Sequence, residues 1–453
     1  MEQSPSLVEY GFRRAFITLI AIICTLLSVM DISIVIVAAS DIRGNLGVSL
    51  DKVSGLITAY ALAYIIIIPF SSWLSQQFGR RNYFLIAITL FTVCSLFCGN
   101  ATGIRELIIF RFLQGLGGGA MLVLSHTIIT ESWPGKKRPT SQAFFMLGVI
   151  AGRILGGPVG GYLTDNFSWP YIFFVNIPAG IIVGLLILAV VRNTSYEKRE
   201  DWLGTIMLTV GASSLYVILA RGQHENWFHS PFIIILTLAG LTGLVLFIRR
   251  QTGLLRNVNL RTGLVLSFIA AFSWAVSSIT LAFSPVWGLE LPTVPLWINI
   301  RVAFFMLAVT AVLIERVRGL KYIIATGMLL FAIYSYMLFQ VAAADMSSVY
   351  VFWLLLMAGM ALPLLSVSVN TLALSKLEDK QIGQGAALYN ITQQLGAALG
   401  IALFSFYSDH FLATKPMQYS PYLFLLFTGI ICLLSIPFVL YAVKNKTHAT
   451  DQL

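Results

Sequence analysis

Charge is what this sequence has least of. Of its 453 residues only 11% are charged, against about 25% in soluble proteins. Hydrophobic residues make up 58% of the chain and the mean hydropathy is +0.85. That balance excludes a water-soluble globular fold and leaves a membrane-embedded one. Cysteine is scarce too. Cys24, Cys94, Cys98 and Cys432 all fall inside apolar runs, where cysteine is an ordinary buried hydrophobe, so neither a disulfide nor a metal site is expected. His126 has no second histidine or acidic cluster beside it, which again argues against a metal. Long polar stretches are missing as well, and no loop is long enough to enclose a core of its own. Nor is there a GxxxxGKS or GxxxxGKT phosphate-binding sequence. A nucleotide-hydrolysing module is therefore excluded, and uphill work has to draw on an ion gradient. No catalytic constellation points to an enzyme, and no cofactor is implied. The first apolar run is longer than a signal peptide's apolar core and leads to no small-residue cleavage site, so no cleavable leader is expected.

What is present is a succession of apolar runs. Runs of about 18 or more residues are transmembrane candidates. They are read at 15–39, 54–76, 82–100, 105–130, 140–163, 170–191, 202–220, 231–248, 262–284, 297–314, 322–343, 348–375, 382–407 and 421–443. The expected fold class is an all-α polytopic membrane protein with fourteen transmembrane helices. An even number puts both termini on one side. The net charge of +10 sets topology and is no nucleic-acid face, because the basic residues sit in the gaps between runs. Of 29 Lys and Arg residues, 21 fall on the side of the termini. They include the Arg13–Arg14, Arg80–Arg81, Lys136–Arg138 and Arg249–Arg250 clusters, together with Lys198, Arg199, Arg318, Lys380, Lys444 and Lys446. The opposite loops hold only Arg43, Lys52, Arg105, Arg221 and Lys415, while Arg111, Arg153 and Arg301 lie inside spans. The positive-inside rule then places both termini in the cytoplasm.

The loop between the second and third runs reads SSWLSQQFGRRNYF. Leu74, Gly79, Arg80 and Arg81 match the Gly-x-Leu-x-Asp-x-x-Gly-Arg-Lys/Arg pattern of the major facilitator superfamily, which this stretch resembles. Ser72 replaces the first glycine and Gln76 the aspartate, so an ionic lock lacks its usual partner here. The fourth run, LIIFRFLQGLGGGAM, is similar to the family's Leu-x-x-x-Arg-x-x-Gln-Gly segment through Leu107, Arg111, Gln114 and Gly115. The first run holds LSVMDISIVIVAAS, similar to the antiporters' Leu-Asp-x-Thr-x-Val-Asn segment. Met30 stands there in place of leucine, Ile36 where relatives often have asparagine, and Ser40 where they have proline. At 1.5 Å per residue, Asp31 lies about 12 Å and Arg111 about 9–10 Å inside the outer ends of their runs. Two readings of these two residues stand side by side. One is a proton-exchanging carboxylate tuned by an arginine; the other is a permanent ion pair that fixes helix packing.

The fifth run contains GVIAGRILGGPVGG. Gly148, Gly152, Gly156 and Gly160 recur every four residues and form one face on which another backbone can pack closely. Pro158 permits a bend. The run is followed by GYLTDNFSWPYIFFVNIPAG, and the whole stretch resembles the fourteen-helix drug:proton antiporters of the EmrB/QacA type. Their usual Gly-Pro-x-x-Gly-Pro-x-x-Gly-Gly signature is kept at Gly152, Gly156, Gly160 and Gly161. Arg153 replaces its first proline, and Gly157–Pro158 shifts the second by one. Three readings compete for Arg153, which sits near mid-membrane depth. It binds an anionic group of a substrate, it pairs with Asp31, or it faces a neighbouring helix carbonyl. DWLGTIMLTVGASSLYVILARGQHENWF resembles the inserted helix pair of fourteen-helix members, and GQGAALYNITQQLGAALG resembles the helix before their last span.

The resemblance implies a major facilitator fold: an N-terminal six-helix bundle over 1–192, an inserted pair with its linkers over 193–256, and a C-terminal six-helix bundle over 257–453. It implies a proton-coupled secondary transporter that exports amphiphilic organic compounds across a bacterial inner membrane by alternating access. Asp31 and Arg111 are the expected proton-coupling pair, and Arg153, Gln114, Asn390 and Gln393 the expected substrate ligands. Gly79, Arg80, Arg81, Gly152, Gly156, Pro158, Gly160 and Gly161 are the expected conformational elements, with the fifth helix sealing against the opposite half. Protons, a small-molecule substrate and membrane lipid are the expected partners, and a periplasmic adaptor with an outer-membrane channel are candidate ones. The alternative within the same fold is transport of a specific anionic metabolite, such as a carboxylate siderophore, with Arg153 and Arg111 as anion ligands.

Overall fold

The computed structural model describes residues 8–194, 201–223, 225–283, 297–317, 319–340, 347–378, 381–412 and 420–443. Lys198, Arg199, Arg318, Lys380, Lys415, Lys444 and Lys446, used above for orientation, lie outside the described residues. The long helices are α1 (Gly11–Val37), α2 (Leu50–Phe78), α3 (Arg80–Gly99), α4 (Ile104–Ser132), α5 (Arg138–Asn166), α6 (Asn176–Val190) and α7 (Trp202–Arg221). They continue as α8 (Pro231–Arg250), α9 (Val258–Phe283), α10 (Trp297–Arg316), α11 (Leu320–Gln340), α12 (Ser348–Leu374), α13 (Ile382–Leu412) and α14 (Ser420–Ala442). Among the described residues there is no strand. An all-helical chain is what lipid demands, because a helix satisfies its own backbone hydrogen bonds where no water can. Twelve helices in the described residues are long and apolar enough to cross a membrane. The two that fall short are α10, which carries Arg301, Glu315 and Arg316, and α13, whose apolar surface is diluted by glycine, glutamine and asparagine.

The chain divides into two compact units. The first comprises Met1–Val217 with Ile235–Gln251 and Glu378–Leu388. Within it α1 packs against α5 and α4, α4 is also flanked by α2 and α3, and α6 lies on α3 and α1. Glycine sets these approaches. A Cβ at Gly148 would lie 2.7 Å from the Ile22 carbonyl oxygen, one at Gly152 2.7 Å from that of Leu26, and one at Gly160 3.1 Å from that of Ile34. Gly156 is closed in the same way by Ser33 and Met30. The four-residue stripe of α5 is therefore occupied by the α1 backbone of its own unit. Gly157 and Gly161 have nothing within 4 Å of a Cβ position. The glycines of α4 act likewise on two sides, Gly115 and Gly119 against α2 and Gly117 against α3.

The second unit comprises Ile218–Ile234, Thr252–Leu377 and Tyr389–Leu453. Here α12 packs against α9, α10 and α11, and α14 against α9 and α11. Gly396 and Gly400 of α13 repeat the device of α5, with Cβ positions 2.6 and 2.7 Å from the Phe268 and Phe272 carbonyl oxygens of α9.

Candidate functional site

The site grows from four helices of the first unit. Asp31 stands on α1 facing Arg111 and Gln114 of α4, just before the glycines of that helix. Asp31 is 0% exposed and Arg111 1%. The two form an ion pair between Arg111 Nη1 and Asp31 Oδ2. The same Nη1 donates to Gln114 Oε1 at 2.7 Å, one turn along α4. Gln114 Nε2 donates to Asp31 Oδ1 at 3.1 Å and to Ser95 Oγ of α3 at 2.7 Å. Cys98 Sγ, also on α3, donates to Gln114 Oε1 at 3.6 Å. A fourth helix closes the ring, with Asn176 Nδ2 of α6 donating to Asp31 Oδ1 at 2.9 Å.

Local sequence explains how α6 reaches this point. A short helix, Tyr171–Phe174, and α6 meet at Val175. Val175 keeps helical dihedrals, but Pro178 has no N–H to offer the Phe174 carbonyl, so one helical hydrogen bond is missing in the turn that carries Asn176. Aromatic rings supply the remaining walls. The Arg111 guanidinium carbon sits 4.3 Å from the Tyr60 ring centroid and 5.5 Å from that of Phe173, a cation–π arrangement that offsets part of the guanidinium's lost hydration. Tyr60 itself is held by donating its hydroxyl to the Ser28 carbonyl at 3.0 Å, and Ser28 Oγ donates to the Gly118 carbonyl at 2.8 Å.

The other expected residues fall elsewhere. Gln114, read as a substrate ligand, is 0% exposed and belongs to the Asp31 network. Arg153 is exposed on α5, close enough to the Tyr64 hydroxyl of α2 to act on it electrostatically. Its proposed pairing with Asp31 gives way to the Arg111, Gln114 and Asn176 contacts. Pro158 is exposed within an unbroken α5. In the second unit Asn390 is buried, while Gln393 is half-buried and donates to the Tyr389 hydroxyl at 3.2 Å.

At the turn between α2 and α3, Gly79 has φ +78°, and a Cβ there would run into the Asn193 side chain. Only glycine meets both demands at once. The Arg80 N–H donates to the Thr194 carbonyl at 3.1 Å, which ties the segment after α6 over this turn. The Arg80 side chain pairs with Glu131 near the end of α4, and Arg81 is half-buried beside it in sequence. The base of the α7–α8 hairpin is clamped by Asp201, which receives Arg250 Nε at 2.5–2.6 Å, Gln251 Nε2 at 3.2 Å and the Gly204 N–H at 3.1 Å. Partial burial works to raise the Asp201 carboxyl, but the bonds from Arg250 and Gly204 outweigh it and hold the group below its ordinary value of 3.8.

The profile of the Major Facilitator Superfamily matches residues 21–401. The chain belongs to that superfamily. Among curated relatives, the multidrug export protein EmrB of Escherichia coli (strain K12) is 35% identical over 241 residues, 52% of this chain and 47% of that protein. That match spans about half the length of the relative. EmrB of Haemophilus influenzae is 27% identical over 417 residues, 87% of this chain and 81% of that protein. Among solved structures, the proton:xylose symporter XylE superimposes with a TM-score of 0.66 at 18% identity, covering 94% of this chain and 96% of that one. This likeness speaks for the fold alone.

Membership in the superfamily, together with the apolar length of its helices, makes the chain an integral membrane protein. Sequence motifs located Asp31, Arg111 and Gln114, and the structure brings all three together. They did not single out Asn176, Ser95, Tyr60 or Glu131. Asn176 lay inside the quoted IFFVNIP stretch, so the signal was present as a motif without a role. Glu131 could have been suspected as the one acidic residue near the C-terminal end of the fourth run.

Proposed function

We propose that this protein is a proton-coupled exporter of amphiphilic organic compounds, working by alternating access between two six-helix halves, 1–192 and 257–453, with 193–256 as an inserted pair. All fourteen helices span the membrane in this reading. Support for the two halves comes from the repeated glycine stripe, α5 on α1 and α13 on α9. The membrane is the bacterial inner membrane, and both termini lie in the cytoplasm, in keeping with the Lys and Arg bias. A periplasmic adaptor and outer-membrane channel would receive the substrate outside.

One observation carries the coupling: a fully buried carboxylate whose counter-charge, Arg111, and two amides all come from helices other than its own. A buried ion pair that served packing alone is replaceable by apolar residues at little cost. A carboxylate that gains and loses a proton, by contrast, changes its bonds to α4 and α6 and can bias helix arrangement. Arg111 tunes Asp31, and Gly79, Arg80 and Arg81 with the glycines of α5 guide the movement. Purified protein in proteoliposomes under an imposed pH gradient tests this. Substrate-dependent proton movement should be lost in Asp31→Asn, and movement equal to the parent's would refute coupling at this residue.

A second reading rests on Arg153, exposed at mid-helix in α5. In this reading the cargo carries an anionic group, and Arg153 with Arg111 contributes to its binding. Export of carboxylate substrates should then fall in Arg153→Ala while export of cationic dyes does not, and an equal response of both classes would rule it out.

A further inference from the structure

The proton site has a feature that its ion pair does not use. Asn176 is 0% exposed. Its Nδ2 is committed to Asp31 Oδ1 at 2.9 Å, yet its Oδ1 has no hydrogen-bond partner among the described residues. A buried amide oxygen without a donor is costly and calls for an explanation.

Protonation supplies one. An ionised carboxylate only accepts hydrogen bonds, whereas a protonated one must also donate. The proton has to go on Oδ1, because Oδ2 faces the Arg111 guanidinium. The new O–H then needs an acceptor. Gln114 Oε1 already receives Arg111 Nη1 and Cys98 Sγ, and its Nε2 is a donor. Nδ2 of Asn176, the nearest group, is a donor too and would oppose the new O–H. Rotation of the Asn176 amide by about 180° exchanges its two ends and presents the unengaged Oδ1 to the carboxyl.

We propose that Asn176 is the positioning residue of the proton site, an amide that donates to Asp31 when the carboxylate is charged and turns over to accept from it when it is protonated. The inference rests on the reading of Asp31 as the proton-exchanging group. The proton comes from water and leaves to water, the Arg111 cation is unchanged, and the number of hydrogen bonds at Asp31 Oδ1 is conserved. The charged or titratable groups facing Asp31 are Arg111 from α4, Tyr60 from α2 and Cys98 from α3. From α6 it meets Asn176, and α5 approaches this part of α1 through Gly152 and Gly156. The amide lies in the turn where Pro178 leaves the Phe174 carbonyl without its helical N–H, so its rotation links the charge on α1 to a point where this helix lacks one backbone bond.

Infrared difference spectroscopy on full-length protein with ¹³C-labelled asparagine, taken between neutral and acid pH, tests this. Acidification should bring up a protonated carboxyl band that is absent in Asp31→Ala, and with it a downshift of one asparagine side-chain carbonyl band as that carbonyl gains a donor. The downshift should vanish in Asp31→Ala and in Asn176→Leu, and the Asp31 carboxyl band should move to higher frequency in Asn176→Leu as its O–H loses an acceptor. The wild-type spectrum alone is decisive where either variant folds poorly. An Asp31 carboxyl band with no asparagine carbonyl shift overturns the turnover of Asn176 and leaves the proton site standing. Absence of the Asp31 band overturns both.

Discussion

Removing Arg111 is the sharpest test of the network. In Arg111→Leu the Asp31 carboxylate keeps the amides of Gln114 and Asn176 but loses its cationic partner, at a position that is 0% exposed. Breaking a buried pair from one side costs roughly 3–5 kcal/mol, equivalent to about a 150- to 5,000-fold fall in the folded-to-unfolded equilibrium constant. Replacing both partners removes the stranded charge, so most of that loss should return in Arg111→Leu/Asp31→Asn. The side-chain carbonyl that Asp31→Asn introduces still accepts from one neighbouring amide. Reversible unfolding in mixed micelles, followed by tryptophan fluorescence, gives the four corners of the double-mutant cycle. A coupling of at least about 2 kcal/mol is expected. If the double variant is no more stable than Arg111→Leu, the destabilisation comes from lost packing against Tyr60 and Phe173, and the claim that the Asp31–Arg111 pair stabilises the fold fails.

Gly156→Leu should lower stability by about 1–3 kcal/mol by pushing into α1, whereas Gly157→Ala and Gly161→Ala, with open space around them, should stay within roughly 0.5 kcal/mol of the parent; thermal unfolding in detergent reads both. Arg80→Ala should slow transport and lower stability by about 2 kcal/mol, since it leaves Glu131, whose side chain is 3% exposed, without its partner. The exchanged pair Arg80→Glu/Glu131→Arg should recover part of the rate, and no recovery would argue against a specific pairing. Asp201 adds a pH dependence of known sign. Its carboxyl is held below 3.8 in the folded protein, so its contribution is present above that value and fades as pH falls through the lower folded one. The melting temperatures of wild type and Asp201→Asn should therefore differ at neutral pH and converge in acid; a constant difference would show that the clamp is not electrostatic.

The helices were legible because lipid permits little else, and apolar runs mark most of their ends to within about a turn. Helices α10 and α13 show the limit: Arg301, Glu315 and Arg316 in one, and glutamine and asparagine in the other, weaken the apolar signal while the helix still forms. Asp31 and Arg111 were legible as a pair because each is a rare charge at matching depth. Their bonding partners were not. Asn176 and Ser95 carry ordinary polar side chains, and depth alone cannot say which of several faces around a helix they occupy. The partner of the α5 stripe was hidden for a similar reason. Four glycines in register state that a backbone comes close without stating whose.

The α1 contact nonetheless gives that stripe a place in the mechanism. Gly152 and Gly156 brace Met30 and Ser33, which flank Asp31 along α1. A carboxylate that must hold one ion pair and two amide bonds within a few tenths of an ångström needs its own helix fixed first, and close backbone packing is how a membrane protein fixes one. The glycines and the buried charge are then parts of one device. α5 holds the segment of α1 that carries Asp31, and α4 and α6 bond its carboxylate, which in the proposed mechanism takes up the proton. A side chain at Gly156 should therefore disturb proton binding at Asp31 as well as stability. The acid-induced Asp31 carboxyl band in Gly156→Ala should broaden or shift relative to the parent, while in Gly161→Ala it should not; identical bands in all three proteins would separate the stripe from the site.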